Sequence, residues 1–333
     1  MRIGINGFGR IGRLVFRIIE TKRLEGEEIK IVAVNCSMTN QQFLQHLQYD
    51  SSHGKFLVNS TYRDEKSITI NNNKVFRVNE RSPENINWDE ANVEYVIDCT
   101  GVFKTMEKAK LHLHSKKIKN IIISSPSNDI PMYVMGVNHT KYNGEIIVSN
   151  ASCTTNCLAP LAKIIFKNFK IKNALMSTIH ATTSSQNTLD NKSRKNLRLG
   201  RCCLNNIIPS TTGAAKCVGK VIPDLEGKIN GVSLRVPTPN VSAVDLTVHL
   251  EKSTSYEEIM KCLEKAEKSE LKGILRVCDK ELVSSDFIGD SHSCIVDEKA
   301  GIELNETFFK IVAWYDNEWG YSHRLVDLLE YIK

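Results

Sequence analysis

Residues 149–157 read Ser149-Asn150-Ala151-Ser152-Cys153-Thr154-Thr155-Asn156-Cys157 and run directly into an apolar pattern of helical spacing. One cysteine is thereby placed at the mouth of a helix among small hydroxyl side chains. The thiolate is the nucleophilic form, and unpaired amides at a helix start lower a cysteine pKa from about 8.5 by one to several units. Cys153 is therefore expected to carry covalent chemistry. The plainer reading, a buried cysteine acting as a small hydrophobe, fits poorly with polar residues on both sides. Cys157 lies one turn further along the same helix face, as a structural neighbour or an oxidation partner.

A second set of residues opens the chain. Arg2-Ile3-Gly4-Ile5-Asn6 reads as a strand entering Gly7-Phe8-Gly9-Arg10-Ile11-Gly12, and Leu14, Val15, Phe16, Ile18 and Ile19 follow at helical spacing. This context suits a dinucleotide cradle: Gly7 for the tight turn, Gly9 for close approach to a pyrophosphate, Gly12 for helix–strand packing. Glycine turns occur in many loops, so it is the strand-to-helix setting that gives the motif weight.

Three further groups could handle protons and anions. His180, in Ser177-Thr178-Ile179-His180-Ala181-Thr182-Thr183, could exchange protons with Cys153, or be a simple polar contact in a strand. Ser210-Thr211-Thr212-Gly213-Ala214-Ala215-Lys216 turns into a helix start, where hydroxyls and free amides bind phosphate oxygens or merely cap the helix. Arg235, between Leu234 and Val236, wants an anionic partner, either a ligand or a structural ion pair.

The elements that must position these groups follow from periodicity. Strands are expected at 29–34, 93–98 and 121–124, with helices at 40–48 and 105–116, the βαβ rhythm of a parallel, doubly wound sheet. Residues 59–79 read as a hairpin excursion turning at Asn71-Asn72-Asn73. After the Cys153 helix, alternating strands at 174–182, 231–236, 243–250 and 308–315 predict an antiparallel sheet with one exposed face. The fold class is thus α/β, a doubly wound parallel sheet plus an α+β domain with an antiparallel sheet. The long polar segment 184–206 is expected to be functional or interfacial.

Composition agrees with an ordinary enzyme. The chain has 333 residues, 41% hydrophobic and 25% charged, enough for a large core and two domains. No window approaches the roughly 20 apolar residues of a membrane span, and the first residues read as a strand rather than a signal peptide, so a cytoplasmic location is expected. Ten scattered cysteines point to reduced thiols rather than a disulfide framework. No cysteine–histidine spacing resembles a metal site. The net charge of +6 suits anionic ligands, but it is too diffuse to require nucleic acid.

The sequence resembles the phosphorylating glyceraldehyde-3-phosphate dehydrogenases from Arg2 to the final helix. The motifs are Ile5 to Arg13, Ser149 to Pro160, Ile207 to Lys216, Arg235 to Ser242, and Trp314 to Ser322, in that order. The resemblance implies a Rossmann-type dinucleotide-binding domain at 1–150 and an α+β catalytic domain with an antiparallel sheet at 151–316, with a C-terminal helix at 317–333 returning to the first. It also implies a homotetramer whose 184–206 loop reaches a neighbour's cofactor. It implies that Cys153 attacks the aldehyde of glyceraldehyde 3-phosphate, that His180 moves the proton, and that inorganic phosphate releases the resulting thioester. Thr183 and Arg235 would hold the substrate phosphate, and Ser152, Thr154, Thr212 and Gly213 the attacking one. Asn317 would orient the nicotinamide, while Gly7, Gly9, Arg10, Ile11, Gly12, Arg81 and Ser124 would line the dinucleotide site.

One departure concerns the cofactor. Val32-Ala33-Val34-Asn35-Cys36-Ser37 places Cys36 where NAD-using members carry aspartate, the acidic group that accepts a ribose 2′-hydroxyl and repels a 2′-phosphate. Its absence, with Ser37 beside it and Lys192 in the long loop, predicts that NADP is accepted well, even preferred, with NAD still usable. Losing an aspartate removes discrimination without itself supplying phosphate affinity. Two rival readings are an erythrose-4-phosphate dehydrogenase, against which the Thr211 to Lys216 pattern argues, and a redox-sensing or binding protein.

Overall fold

The computed structural model describes residues 1–193 and 196–333. Arg194 and Lys195, within the 184–206 loop, lie outside the described residues. The chain divides into two compact units: one of Met1–Tyr133, Lys141–Ala151 and Ser322–Lys333, the other of Val134–Thr140 and Ser152–Tyr321.

The first unit is built on β1 (Arg2–Asn6), β2 (Lys30–Asn35), a small ribbon of β3 (Tyr49–Asp50) and β4 (Gly54–Lys55), then β5 (Ser60–Asp64), β6 (Ser67–Ile70), β7 (Asn73–Val78), β8 (Tyr95–Asp98), β9 (Asn120–Ile123) and β10 (Ile147–Ser149). Its main sheet runs β10-β9-β8-β1-β2-β7-β6-β5. Pairing is parallel from β10 to β7 and antiparallel for β6 and β5. The central strands β1, β2, β8 and β9 are buried almost throughout and rich in Ile and Val, as a parallel sheet covered on both faces requires. Asn71 and Asn72 take positive φ between β6 and β7, the left-handed conformation asparagine tolerates best among non-glycine residues.

Helix α1 (Arg10–Leu24) follows β1, and α2 (Asn40–Gln48) follows β2 with a Thr39–Gln42 capping box. The helix expected at 105–116 is instead one α-turn, α3 (Met106–Ala109), and a tighter 3-10 segment, Lys110–His114. The physical reason is His112, whose fully buried ring is tied to Trp88 and Asp98. Those fixed bonds outweigh the local helical preference.

The second unit contains α4 (Cys153–Phe169), β11 (Ile171–His180), β12 (Ile208–Thr211), α5 (Ala214–Val221), β13 (Ile229–Arg235), β14 (Ser242–Leu250), α6 (Tyr256–Glu267), β15 (Leu275–Cys278), β16 (Cys294–Asn305) and β17 (Phe308–Tyr315), before α7 (Trp319–Ile332), which enters the first unit at Ser322. The sheet order is β12-β13-β11-β14-β17-β16-β15. The antiparallel expectation holds for most pairs, but β11/β13 and β15/β16 are parallel, so the sheet is mixed. The long crossover between β11 and β13, which includes α5, allows the parallel pairing. Along β11 Ala174, Met176, Thr178 and His180 are buried while Leu175 is 69% exposed. This is the expected alternation, with helices on one face and the other face open.

Within the first unit the glycine turn is tight at Gly7 and Gly12. Gly7 has φ +91°, and a Cβ at Gly12 would collide with the Gly7 carbonyl oxygen. Gly12→Ala is therefore expected to lower stability by about 1–3 kcal/mol through overpacking, read as a reduced urea midpoint for the first unit.

Candidate active site

Cys153 is the first residue of α4, whose N-cap Ser152 accepts the Thr155 amide through its hydroxyl. His180 ends β11, and parallel pairing sets it directly beside Arg235 at the end of β13. The Cys153 Sγ lies 3.6 Å from His180 Nε2. On the far side of the ring, Nδ1 is 2.7 Å from the Ala181 carbonyl and 3.0 Å from Arg235 Nη1. One nitrogen cannot donate to the carbonyl and accept from the guanidinium in the same tautomer. The shorter contact assigns the proton to Nδ1, leaving the Nε2 lone pair toward sulfur. Arg235 Nη1 then donates to the Ala181 carbonyl at 3.3 Å and the Thr183 hydroxyl at 3.4 Å.

The electrostatics differ from the helix-start expectation. Burial pushes the Cys153 thiol above its ordinary value, outweighing the Arg235 charge and the Thr154 bonds that pull it down. Burial, with the Arg235 charge adding to it, lowers His180 to about 4. The resting pair is therefore a thiol facing a neutral imidazole, which can accept its proton as sulfur attacks. Burial also pushes Cys157 well up, in hydrogen-bond contact with Cys294. Cys157 is fully buried and offers no reactive thiolate.

Thr183 is reached by Arg235, whose own Nε is a buried donor with no partner. Thr212 caps α5 by accepting the Ala214 amide at 3.2 Å, and a Cβ at Gly213 would meet nothing within 4 Å. Thr154 is placed differently from an open ligand: its hydroxyl is buried and bonded to Tyr315 Oη at 2.8 Å. Asn317 is buried, its Oδ1 accepting the Ser242 hydroxyl at 2.8 Å, while Ser242 Oγ accepts the Ala181 amide at 3.0 Å.

Sequence reasoning did not single out Ser242 or Tyr315. Tyr315 Oη also reaches Thr178 at 2.9 Å, and its ring meets that of His180 edge-on at 6.1 Å. The inward parity of β17 was the available signal.

In the first unit, Gly9 precedes α1, no side chain caps that helix, and nothing lies within 4 Å of where a Gly9 Cβ would be. Open backbone at a helix start fits a pyrophosphate. The Arg10 guanidinium is bound to Asp50, and Arg10 and Ile11 are the first two residues of α1. The Ser124 amide donates to the Asp98 carbonyl at 2.9 Å. Arg81 is exposed just beyond Glu80, which exchanges hydrogen bonds with Asn35.

Cys36 and Ser37 border a cavity of about 200 Å³ that Arg77 also lines. Arg77 Nη2 is 3.2 Å from Cys36 Sγ, and Nη1 is buried without a partner. Sequence reasoning passed over Arg77. Lys192 is exposed and lies in the second unit. Among the described residues no group of histidines, cysteines and carboxylates could hold a metal ion.

A dinucleotide cradle and a cysteine–histidine pair in one chain define a nicotinamide-dependent oxidoreductase that works through a thiol. Residues 1–106 match the NAD binding domain of glyceraldehyde 3-phosphate dehydrogenase, and residues 152–317 match its C-terminal domain. The chain is 54% identical to a glyceraldehyde-3-phosphate dehydrogenase of Sclerotinia sclerotiorum, over 99% of this chain and 97% of that one. It is 52% identical to a cytosolic one of Chlamydomonas reinhardtii, covering 98% and 95%, and 50% identical to a chloroplastic one of Arabidopsis thaliana, covering 99% and 78%. The chain belongs to the glyceraldehyde-3-phosphate dehydrogenase family.

A histidine whose folded pKa of about 4 lies below the unfolded value near 6.5 binds fewer protons folded than unfolded between those limits. Its contribution to stability is full above pH 6.5 and is lost as pH falls toward 4. Wild type should therefore lose about 2 kcal/mol more than His180→Gln between pH 7 and pH 4.5, measured by urea unfolding at each pH.

Proposed function

We propose that the chain oxidises glyceraldehyde 3-phosphate to 1,3-bisphosphoglycerate, with inorganic phosphate and a nicotinamide dinucleotide, through a covalent intermediate on Cys153. The observation that carries this reading is the Cys153 Sγ facing the unprotonated Nε2 of His180, with Arg235 behind the ring. Sulfur adds to the aldehyde carbon, and its proton passes through Nε2 to the new oxygen, giving a thiohemiacetal. The Cys153 amide and His180 stabilise the oxygen as its charge develops. Nε2 then takes the hydroxyl proton as hydride leaves carbon, and the intermediate collapses to a thioester. When bound, the dinucleotide supplies the hydride acceptor. A hydrogen phosphate oxygen attacks the thioester and gives up its proton to solvent, the thiolate leaves, and the proton on His180 returns to sulfur.

The anion positions follow from the unmet bonding capacity. Arg235 Nε, a buried donor without a partner, and Thr183 suit the substrate phosphate, because an unsatisfied buried donor is costly until a ligand meets it. Ser152, Thr212 and Gly213, at two helix starts, suit the attacking phosphate. Thr154 steadies the start of α4 through Tyr315. Asn317, held by Ser242, orients the nicotinamide carboxamide. Gly7, Gly9, Arg10, Ile11, Gly12, Arg81 and Ser124 line the dinucleotide.

Cofactor choice turns on the end of β2. The family's first domain binds NAD. Here Cys36 stands in place of a carboxylate, Ser37 is exposed, and Arg77 lines the same cavity with its guanidinium 3.2 Å from the Cys36 sulfur. This arrangement supports acceptance of NADP, with Lys192 approaching from a neighbouring subunit. Self-association as a homotetramer is supported by the open face of the second sheet, where Leu175 is 69% and Val232 52% exposed. No helix among the described residues is long and apolar enough to cross a membrane; a cytoplasmic location, in glycolysis or gluconeogenesis, belongs to this reading and is supported by the cytosolic relative of Chlamydomonas reinhardtii.

Two measurements test this. Cys153→Ser should lose nearly all aldehyde oxidation while its NAD dissociation constant stays unchanged; substantial oxidation by that variant would overturn the covalent step. Initial rates with NAD and NADP side by side should show NADP equal to or better than NAD; a KM for NADP far above that for NAD would reject the reading of Cys36.

A further inference from the structure

Beneath the glycine turn of the first unit runs a chain of polar side chains that the reaction does not use. Trp88 Nε1 donates to His112 Nδ1 at 3.3 Å, and His112 Nε2 meets Asp98 Oδ2 at 3.2 Å. Asn6 Nδ2 donates to the same carboxylate oxygen at 2.8 Å, and Asn35 Nδ2 donates to Asn6 Oδ1 at 2.8 Å. Asn35 closes the chain by exchanging two bonds of 2.8 Å with the Glu80 backbone. Trp88, His112 and Asp98 are fully buried, and Asn6 and Asn35 nearly so.

The directions of these bonds are fixed. The indole N–H is only a donor, so His112 Nδ1 must accept and Nε2 must carry the proton toward Asp98. Asp98 Oδ1 accepts both the amide and the hydroxyl of Thr100, at 3.0 and 2.6 Å. Four donors therefore meet one buried carboxylate, which satisfies the condition under which such a group is tolerated. The network costs desolvation that apolar side chains would avoid, and Asp98, Asn6 and Asn35 sit at the carboxyl ends of β8, β1 and β2. Asn6 immediately precedes Gly7, Thr100 presses within 3.0 Å of where a Gly7 Cβ would be, and Asn35 immediately precedes Cys36.

We propose that His112, held in its Nε2–H tautomer by Trp88, is a positioning residue for the dinucleotide. It orients Asp98, which in turn sets Thr100 against the glycine turn and, through Asn6 and Asn35, the end of β2 where the adenosine ribose is to be read. The inference rests on the reading of the first unit as the cofactor site.

The test uses the full-length protein and isothermal titration with NAD, with iodoacetamide alkylation of Cys153 in the absence of NAD as a probe of the other unit. His112→Leu, which removes the donor to Asp98, should weaken NAD binding about tenfold and leave the alkylation rate unchanged. His112→Gln, which can supply both an acceptor and a donor, should restore affinity to within about threefold. If His112→Leu does not fold, Trp88→Phe should weaken NAD binding about two- to threefold, since it removes only the bond that fixes the tautomer. Unchanged affinity in the variant that folds overturns the proposal. Equal loss in the Leu and Gln variants, with alkylation altered as well, overturns it in favour of a purely structural role. Wild-type protein that binds no dinucleotide would overturn the cofactor reading instead.

Discussion

The register of one parallel strand pair governs the catalytic unit. Because His180 pairs with Arg235 across β11 and β13, imidazole and guanidinium emerge side by side at the same sheet edge. The Arg235 charge helps hold the ring neutral there. A slip of one residue would turn either side chain to the opposite face, so main-chain hydrogen bonds set this geometry more firmly than side-chain packing could. Helix α4 needs only to bring its first residue to the ring, and the Ser152 cap fixes where that residue lies.

The two units use helix starts for opposite ends. At α1 the start is left without a side-chain cap and the glycines keep it open, which leaves donors for an anion. At α4 the cap is filled by Ser152, Thr154 is turned inward to Tyr315, and the Cys153 thiol is half-buried. Burial raises the cost of charging sulfur, while the neutral imidazole 3.6 Å away gives the proton a destination. The pair is prepared to react together and not to ionise separately.

Much of this was legible in the sequence. The strand–glycine turn–helix at Ile3 to Ile19, and the small polar residues around Cys153, are local patterns with local causes, and the structure places them on β1, α1 and α4. What the sequence hid was set by distant partners. The segment 105–116 has helical periodicity, yet His112 is bound to Trp88, 24 residues earlier in the chain. The parallel β11/β13 pair could not be read from alternation, which is the same in either direction. Burial of Cys153, which reverses the effect expected of a helix start, is a property of the packed unit. Arg77, beside Cys36, looked like any charged strand residue.

One backbone detail at the head of β14 reaches further. Val241 is buried and β-branched, yet it holds φ +66°, a left-handed conformation of the kind that costs of order 1–3 kcal/mol and persists only where its surroundings enforce it. The next residue, Ser242, holds both the Ala181 amide beside the histidine and Asn317. The strand thus works like a bent latch kept closed by two hydrogen bonds. A glycine at position 241 would relieve the backbone, but it would empty the place Val241 fills against Cys278, Phe287 and Ile295 and free the anchor on which His180 and Asn317 both lean. Position 241 therefore sets backbone ease against core packing, and the side chain that carries the strain is the one that keeps the shared anchor still.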